Sequence, residues 1–453
     1  MKRQIRPAGQ TIIFVVVSLL MLGIIMVTSA SQQVNAADPV NLKAIFFGRT
    51  GIYALLAIGM LVLGTRVNVR WLCGLTPSDT PTDLRGPGET TPPTARPHGT
   101  HRSPARSAVA AWLDHIATGW RDAMLWMLRS PAVWLLALSA VGLVLVHFEV
   151  FGGETKGANR WIRFSLGPAS MSFQPSELAK WAMILVVAGY CAGQARQRLI
   201  RFTSGLLPVL IVLAVIGVLV IVEDLGTAVL MGTVAGVLLF AAGIRWRHVL
   251  VMMIPAGFGV YQAIMAETYR LKRLVSFVDP YADPQGSGYH MIQSMAAISA
   301  GEVTGRGLGY GVHKFGYLPE DTTDFLFAVV CEELGVMGAV LVVALYAALV
   351  VAGVWIVLRQ RDLALRLVGL GVILTVALQA LINMAVVTGL APTKGIALPL
   401  ISSGGTGWLL TAFSLGLLVG MDRTPSRQAA PRPNGDREAM TSAADDPGGV
   451  LAP

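Results

Sequence analysis

Charged residues are scarce in this chain. Aspartate, glutamate, lysine and arginine make up only 13% of its 453 residues, about half the usual share in soluble proteins. Hydrophobic residues make up 54%, and the mean hydropathy is +0.62. A soluble protein of this size could not cover its surface with so few charges, and a disordered chain would be less apolar. The composition excludes both classes and indicates a membrane protein.

Cysteine and the common catalytic motifs are also scarce. The three cysteines, Cys73, Cys191 and Cys331, lie far apart, which gives neither a disulfide framework nor a metal-ligand spacing. No HExxH, GxSxG or SxxK motif is placed to act. The glycine run Gly305–Gly311 (GRGLGYG) does not match GxGxxG. We interpret the cysteines as small buried hydrophobes and the glycine run as tight turns.

Long apolar runs are what the chain has in abundance. A membrane-spanning helix needs about 20 mostly apolar residues, and the alternating strands of an outer-membrane barrel are absent from the sequence. Ten stretches suit spanning helices: 11–30, 45–64, 131–150, 176–193, 204–222, 226–243, 248–266, 324–357, 364–388 and 404–421. We predict an all-α polytopic membrane protein with about ten transmembrane helices. The eighth stretch is too long for one straight span, so we expect it to be kinked or partly interfacial.

The distribution of the few charges orients these helices. With the N-terminus inside, the cytoplasmic segments carry 23 Lys and Arg against 11 Asp and Glu, whereas the other segments carry 12 against 15. This asymmetry follows the positive-inside rule and places both termini in the cytoplasm. It also removes the support that the net charge of +9 lends to nucleic-acid binding, because the basic residues are spread over loops.

The regions between the apolar stretches differ in character. Residues 1–10 are predicted to be a cytoplasmic N-terminus, 11–421 the membrane domain, and 422–453 a disordered cytoplasmic tail. The Pro-rich segment 77–107 is predicted to be a flexible cytoplasmic insertion, and 109–128 an amphipathic helix along the inner membrane face. A long extracytoplasmic loop separates the seventh and eighth helices. Long ordered loops are usually functional, so we expect the site to face outward.

Asp324 stands out by its position, immediately before the eighth apolar stretch in LPEDTTDFLF. A partly desolvated carboxylate there is a stronger base. Its position leaves two interpretations open, a general base or, with Thr322 or Thr323, a cap for the helix. Several Lys and Arg residues near the outer membrane plane could bind a phosphate or diphosphate group. Glu332 and Glu333, within the apolar stretch, are expected to be structural pairing partners.

Several ordered segments carry a family resemblance. They read GANRWI, FQPSELAK, EDLGTA, the run from DPQGSGYH to CEELG, and NMAVVTGLAPTKGIALPLISSGG. From about Gly23 to Met421 the chain resembles the SEDS family of peptidoglycan glycosyltransferases, the FtsW/RodA/SpoVE group. MVTSAS, YLPE and APTKG resemble the FtsW branch more than the RodA branch. The resemblance implies a ten-helix inner-membrane enzyme that polymerises lipid II on the outer face of the membrane, in cell division.

The resemblance also implies partners and site residues. The partners are lipid II, a class B penicillin-binding protein and other division proteins, with no nucleic acid. No cofactor is certain, and a divalent cation (Mg²⁺ or Mn²⁺) is left open. The catalytic aspartate of the family maps onto Asp324. The motif positions predicted to bind substrate are Arg160, Trp161, Lys180, Lys314, Glu320, Lys394, Ser402, Gly404 and Gly405.

Some of these residues have a structural alternative. Trp161 could stack on a sugar face or belong to the interfacial aromatic belt. Glu177 and Lys180 are three residues apart on one helix face, so they could form an ion pair or line the site. Four positions depart from the family pattern and leave individual substrate contacts open: Thr322 for His, Ser403 for Tyr, Glu223 for Pro and His313 for Gln.

The implied chemistry needs only one carboxylate. A lipid diphosphate leaves as a stable anion that needs cations, while the acceptor hydroxyl needs a base. A glycosidase, by contrast, needs two carboxylates. The expected outcome is inversion at the donor's anomeric carbon.

Two other functions remain as alternatives. A flippase for the same lipid would need charged groups along a path through both leaflets, whereas here the charged motifs cluster outside. A non-catalytic division scaffold predicts that Asp324 is dispensable.

Overall fold

The computed structural model describes residues 5–31, 48–76, 108–146, 148, 161–166, 169–194, 202–403 and 405–423. These residues are mainly helical. The elements, in chain order, are α1 (Pro7–Ala30), α2 (Arg49–Gly64), α3 (Val69–Leu72), α4 (Ala108–Arg129), α5 (Pro131–Leu145), β1 (Ile162–Leu166), β2 (Ala169–Phe173), α6 (Pro175–Gly193), α7 (Leu207–Glu223), α8 (Leu225–Ala241), α9 (Trp246–Met265), α10 (Thr268–Val278), α11 (Tyr289–Gly301), α12 (Leu326–Arg359), α13 (Leu363–Val387) and α14 (Thr406–Asp422). A π-helical turn at Phe202–Leu206 precedes α7, and a 3-10 turn at Pro280–Ala282 follows α10.

A helix lies at each of the ten predicted apolar stretches, namely α1, α2, α5 to α9 and α12 to α14. Within the described residues, four helices (α1, α9, α12 and α13) are long and apolar enough to cross a membrane alone. The helix pair Ile116–Arg129 and Pro131–Leu145, bent by 79°, adds a fifth if it forms one span. The chain is therefore a multi-pass membrane protein. The count of ten spans stays a prediction, because α2, α7, α8 and α14 are shorter.

The structure describes only some of the regions whose boundaries were predicted from the sequence. A helix at the predicted amphipathic segment is present as α4. The insertion 77–107 and the tail from residue 424 lie outside the described residues. The loop expected between the seventh and eighth helices contains α10 and α11.

A β-hairpin corrects the all-α prediction. β1 pairs with β2 in antiparallel register, with Ile162 opposite Phe173. The sequence IRFSLGPASMSF alternates apolar and polar residues on both sides of Gly-Pro, a pattern that favours a hairpin. Because a two-stranded hairpin is marginal alone, its anchors matter. Ile162 is buried, and the Ser172 carbonyl accepts a hydrogen bond of 2.8 Å from Thr406 Oγ1 of α14.

The bundle packs around helices that are buried on several sides. α6 is buried at every residue from Ala179 to Cys191, as expected for a helix that is apolar all round and lies inside a bundle. α1 packs on α12, α2 on α14, α5 and α13 on α6, and α11 on α12. In contrast, α9 has no buried residue and α10 has only Ser276. The loops that precede α12 and α14 lie against each other.

α12 is broken at Gly335, which has φ 66° and ψ −162°. The predicted kink is confirmed. A break inside a helix frees main-chain donors and acceptors that lipid cannot satisfy. The segment after α11 supplies the partners: Val336 N donates to Glu302 O (3.1 Å), Met337 N to Val303 O (3.4 Å), Arg306 N to Glu332 O (3.0 Å) and Gly307 N to Glu333 O (2.9 Å).

We predict that Gly335→Ala lowers the melting temperature of the detergent-solubilised protein. A Cβ at Gly335 would lie 2.4 Å from both Gly305 N and Val303 O, and its left-handed backbone costs any other residue about 1–2 kcal/mol. Gly217→Ala in α7 is the matched control, because a Cβ there meets nothing within 4 Å. Thermal unfolding measures both, and equal melting temperatures for the two variants would contradict the packing of the break.

Candidate functional site

Asp324 lies in the turn that leads into α12. Two main-chain N–H groups, of Thr323 and Phe325, donate to the Glu320 carbonyl at 3.1 Å. Glu320 itself has φ 59°, a left-handed conformation that is uncommon outside glycine. The N-cap of α12 is Phe325, whose own side chain makes no capping hydrogen bond. Asp324 is therefore not the N-cap residue of this helix.

The loop between α13 and α14 lies against the Asp324 carboxylate. A Cβ built on Gly395 would lie 2.8 Å from Asp324 Oδ2, so the carboxylate packs closely on the main chain at this glycine. Lys394 precedes this glycine. Burial lowers the pKa of Lys394, and the negative charge of Asp224 partly opposes this effect. The predicted base thus lies against the main chain next to Lys394, and the acid whose charge acts on the Lys394 ammonium is Asp224.

The same loop is tied to the Asp324 turn by main-chain contacts. Ser403 N donates to Thr322 O at 2.9 Å. Ser402 is 1% exposed, and its Oγ accepts a hydrogen bond of 3.0 Å from Leu398 N. Its carbonyl accepts another, of 2.6 Å, from Trp408 Nε1. These contacts shape the loop, and a substrate contact by Ser402 stays a prediction.

Two amide side chains of α13 also reach this loop. Asn383 Nδ2 donates to Ile396 O at 2.7 Å, and Gln379 Nε2 donates to Ala397 O at 3.0 Å. Reasoning from the sequence overlooks both residues. Two amides four positions apart in an otherwise apolar stretch are the signal that could have found them, because polar groups inside spans are costly and usually paired or functional.

Lys180 is buried and links α6 to α13. Its Nζ donates to Glu177 Oε1 at 2.9 Å, which confirms the expected ion pair, and to Gln379 Oε1 at 2.8 Å. The side chain is 2% exposed. Through Gln379 it supports the loop that carries Lys394, and its predicted contact with substrate stays a prediction.

Lys314 lies in a second, buried cluster around α12. Its Nζ donates to Glu333 Oε1 at 2.8 Å, to Ser29 Oγ at 3.0 Å and to Gly309 O at 2.8 Å. These three bonds match the three donors of a lysine ammonium. Both charged side chains of the Lys314–Glu333 pair are 0% exposed. The structure gives Lys314 a pairing role, and a contact with substrate remains only a prediction.

Glu332 is held in the same cluster. Its Oε1 accepts a hydrogen bond of 2.8 Å from Val312 N and contacts His313 Nδ1 at 3.0 Å. Arg306 approaches the same oxygen at 3.7 Å. The expectation that both acids of α12 are structural pairing partners is confirmed. The turns of the glycine run wrap these acids: Gly305, Gly307 and Gly309 all have positive φ.

The other predicted site residues are placed as follows. Trp161, half-buried, directly precedes β1. Gly405 has φ 44°, and the ring of Tyr53 lies within 3.6 Å of a Cβ built there. Glu320 Oε2 accepts a hydrogen bond of 2.9 Å from Thr323 Oγ1. Arg160 and Gly404 lie outside the described residues.

A divalent cation has no ready ligand set in the part of the chain that the structure describes. No group of three or more His, Cys, Asp or Glu side chains there could hold a metal ion. The described residues do not fit a preformed cation site, and the mechanism below uses only the side chains present.

We predict that Lys314→Met destabilises the protein by about 3–5 kcal/mol, because it leaves the buried Glu333 carboxylate unpaired. The double variant Lys314→Met with Glu333→Leu should recover part of this loss, because both buried charges are then gone. Thermal and denaturant unfolding in detergent measure the cycle. Unchanged stability in the single variant would contradict the pairing role.

Comparison with known proteins agrees with the motifs. Residues 100–427 match the model of the FtsW/RodA/SpoVE family, described as "Cell cycle protein". A probable peptidoglycan glycosyltransferase FtsW of Geobacter metallireducens is 33% identical over 92% of this chain and 95% of its own.

Solved structures share the fold. A chain from a peptidoglycan synthase complex that coordinates polymerization and crosslinking superposes with a TM-score of 0.61 at 26% identity, over 92% of this chain and 98% of that chain. The rod shape determining protein RodA of Thermus thermophilus superposes with a TM-score of 0.51 at 24% identity, over 92% and 97%. With a family model that matches residues 100–427 and a relative that aligns along nearly its whole length, this chain belongs to the SEDS family, the FtsW/RodA/SpoVE group.

Proposed function

We propose that this protein is a peptidoglycan glycosyltransferase that polymerises lipid II into glycan strands during cell division. The observation that carries the proposal is the contact between the Asp324 carboxylate and the main chain at Gly395. It sets a carboxylate from one loop against the main chain of another loop, at the residue that follows Lys394. A relative named as a probable peptidoglycan glycosyltransferase along 92% of this chain supports the same activity.

Asp324 acts as the general base in this mechanism. It takes the proton of the acceptor sugar hydroxyl as the hydroxyl oxygen forms a bond to the donor's anomeric carbon. The bond between that carbon and the diphosphate oxygen breaks, and its electron pair leaves with the undecaprenyl diphosphate. Attack from the face opposite the leaving group inverts the α-linked donor to a β-linked product. Asp324 then releases its proton to solvent.

Lys394 and Arg273 are suited to hold the departing diphosphate. Arg273 donates through one guanidinium nitrogen to Thr393 O at 3.4 Å, which places its charge against the main chain of the residue before Lys394. Its guanidinium also lies 4.4 Å from the centre of the Tyr269 ring. Cations fixed beside the developing charge stabilise it without a general acid. Arg160 and Trp161 are proposed to contact the lipid headgroup and sugar from the neighbouring loop.

The proposed topology follows from the charges. Ten helices span the inner membrane, both termini are cytoplasmic, and the segment between α9 and α12 lies on the extracytoplasmic side with the site. The excess of Lys and Arg in the other loops supports this orientation. A class B penicillin-binding protein is the proposed partner, and the similar chain from a complex that couples polymerization to crosslinking supports it.

We predict that Asp324→Asn abolishes glycan synthesis, because an amide cannot accept the hydroxyl proton. The measurement is the length distribution of glycan chains made from lipid II in detergent, with the penicillin-binding partner present. Asp321→Asn, three residues away in the same turn, is the matched control and should retain synthesis. Full activity of Asp324→Asn would overturn the proposed mechanism. Lipid flipping in vesicles that survives the substitution, without polymerisation by the parent protein, would favour a transporter.

The lowered pKa of Lys394 generates a second prediction. The KM for lipid II should rise with pH, because deprotonation removes the positive charge that binds diphosphate. In Lys394→Arg this rise should disappear, since a guanidinium stays protonated throughout the accessible range. The exposed Lys272→Arg is the control and should leave the pH profile unchanged. A KM profile that is identical in the parent and Lys394→Arg would exclude Lys394 from the clamp.

A further inference from the structure

One side-chain amide joins the two loops that form the site. Asn383, 2% exposed on α13, donates from Nδ2 to Asp324 O at 2.8 Å and to Ile396 O at 2.7 Å. Both hydrogens of its NH₂ group are therefore in use. The orientation of the amide is unambiguous, because a flipped amide would set Oδ1 against two carbonyl oxygens.

The bonds of Asn383 bracket the contact between base and clamp. On one side the amide holds the carbonyl of Asp324 itself, and on the other it holds Ile396, two residues after Lys394. Between these points Gly395 packs on Asp324 Oδ2, with 2.8 Å for a Cβ built there. The two donors thus set the distance between the Asp324 main chain and the loop of Lys394.

Gln379 fixes only one of the two loops. Its Nε2 holds Ala397 O at 3.0 Å, and its Oε1 accepts from Lys180 Nζ at 2.8 Å. Asn383, one turn further along α13, alone of this pair bonds to Asp324 as well. Relative placement of the two loops therefore depends on Asn383 together with the main-chain bond from Ser403 N to Thr322 O, and of these two only Asn383 bonds to Asp324 itself.

The amide is retained at an energetic cost. Asn383 Oδ1 is buried and has no hydrogen-bond partner among the described residues, which is unfavourable compared with an apolar side chain of similar size. A leucine at this position would remove that cost but would leave the carbonyls of Asp324 and Ile396 without their donor.

We propose that Asn383 is a positioning residue for the glycosyl transfer. It holds the main chain of the general base Asp324 at a set distance from the Lys394 loop, so that the acceptor hydroxyl and the donor diphosphate are bound in line. The proposal rests on the proposed function of Asp324. A displacement of about 1 Å at a reacting group can reduce the rate by about 100-fold, so the role is in turnover rather than in binding.

The test compares Asn383→Leu and Asn383→Asp with the parent in lipid II polymerisation. Both should lower kcat, measured per folded protein, by about 10- to 100-fold with little change in KM, and both should lower the melting temperature because buried carbonyls lose a donor. In Asn383→Asp the buried carboxyl faces two carbonyl oxygens, stays neutral and restores only one of the two bonds, so its kcat should fall less than that of Asn383→Leu. Thr375→Val, two turns earlier on α13 and equally buried, is the matched control and should keep the parent's kcat.

Two outcomes overturn the positioning role. One is parental kcat in both Asn383 variants while Asp324→Asn is inactive, which refutes the positioning role and leaves the base intact. The other is a loss of activity that only tracks a loss of folded protein, with parental kcat in the folded fraction. Activity in Asp324→Asn would instead refute the proposed function itself, so the two failures are distinguishable.

Discussion

The need to satisfy main-chain groups where α12 breaks governs much of this structure. Lipid offers no hydrogen bonds, so the donors and acceptors released at Gly335 must find partners in the protein. The segment after α11 supplies them through main-chain hydrogen bonds on both sides of the break. These bonds hold the first part of α12 in place, and with it the turn that carries Asp324. The glycine run then closes over Glu332 and Glu333. Glu333 pairs with Lys314, and Glu332 is approached by Arg306 and lies 3.0 Å from His313 Nδ1.

The site is built by polar anchors rather than by apolar packing between its loops. On one side the Lys314–Glu333 pair and the carbonyls around the break hold the loop before α12. On the other side the two amides of α13 and the buried Lys180 hold the loop before α14. Polar anchors suit a membrane protein, because the outer faces of its helices meet lipid and apolar packing is not directional. Directional hydrogen bonds can hold the Asp324 carboxylate against the main chain at Gly395.

The sequence predicted the helices well because each long apolar run has only one way to satisfy its backbone in lipid. Asp324 became the candidate base from its place at the start of such a run and from the motif around it. The hairpin at Ile162 was missed because a short alternating pattern beside Gly-Pro is a weak signal inside a loop. The pairing of Lys314 with Glu333, and of Asn383 with Asp324, could not be derived, since it depends on which loops meet in three dimensions. Local patterns do not contain that information.

The contact between Ser29 and Glu333 has a consequence for how the protein is made. It joins residues 304 positions apart, so α1 has completed its own helix long before its polar partner exists. Contacts of such separation form late, because the intervening chain must first be ordered. During synthesis the hydroxyl at the end of α1 must wait until most of the bundle has entered the membrane. A helix that is synthesised early is thus among the last to be locked into its final position.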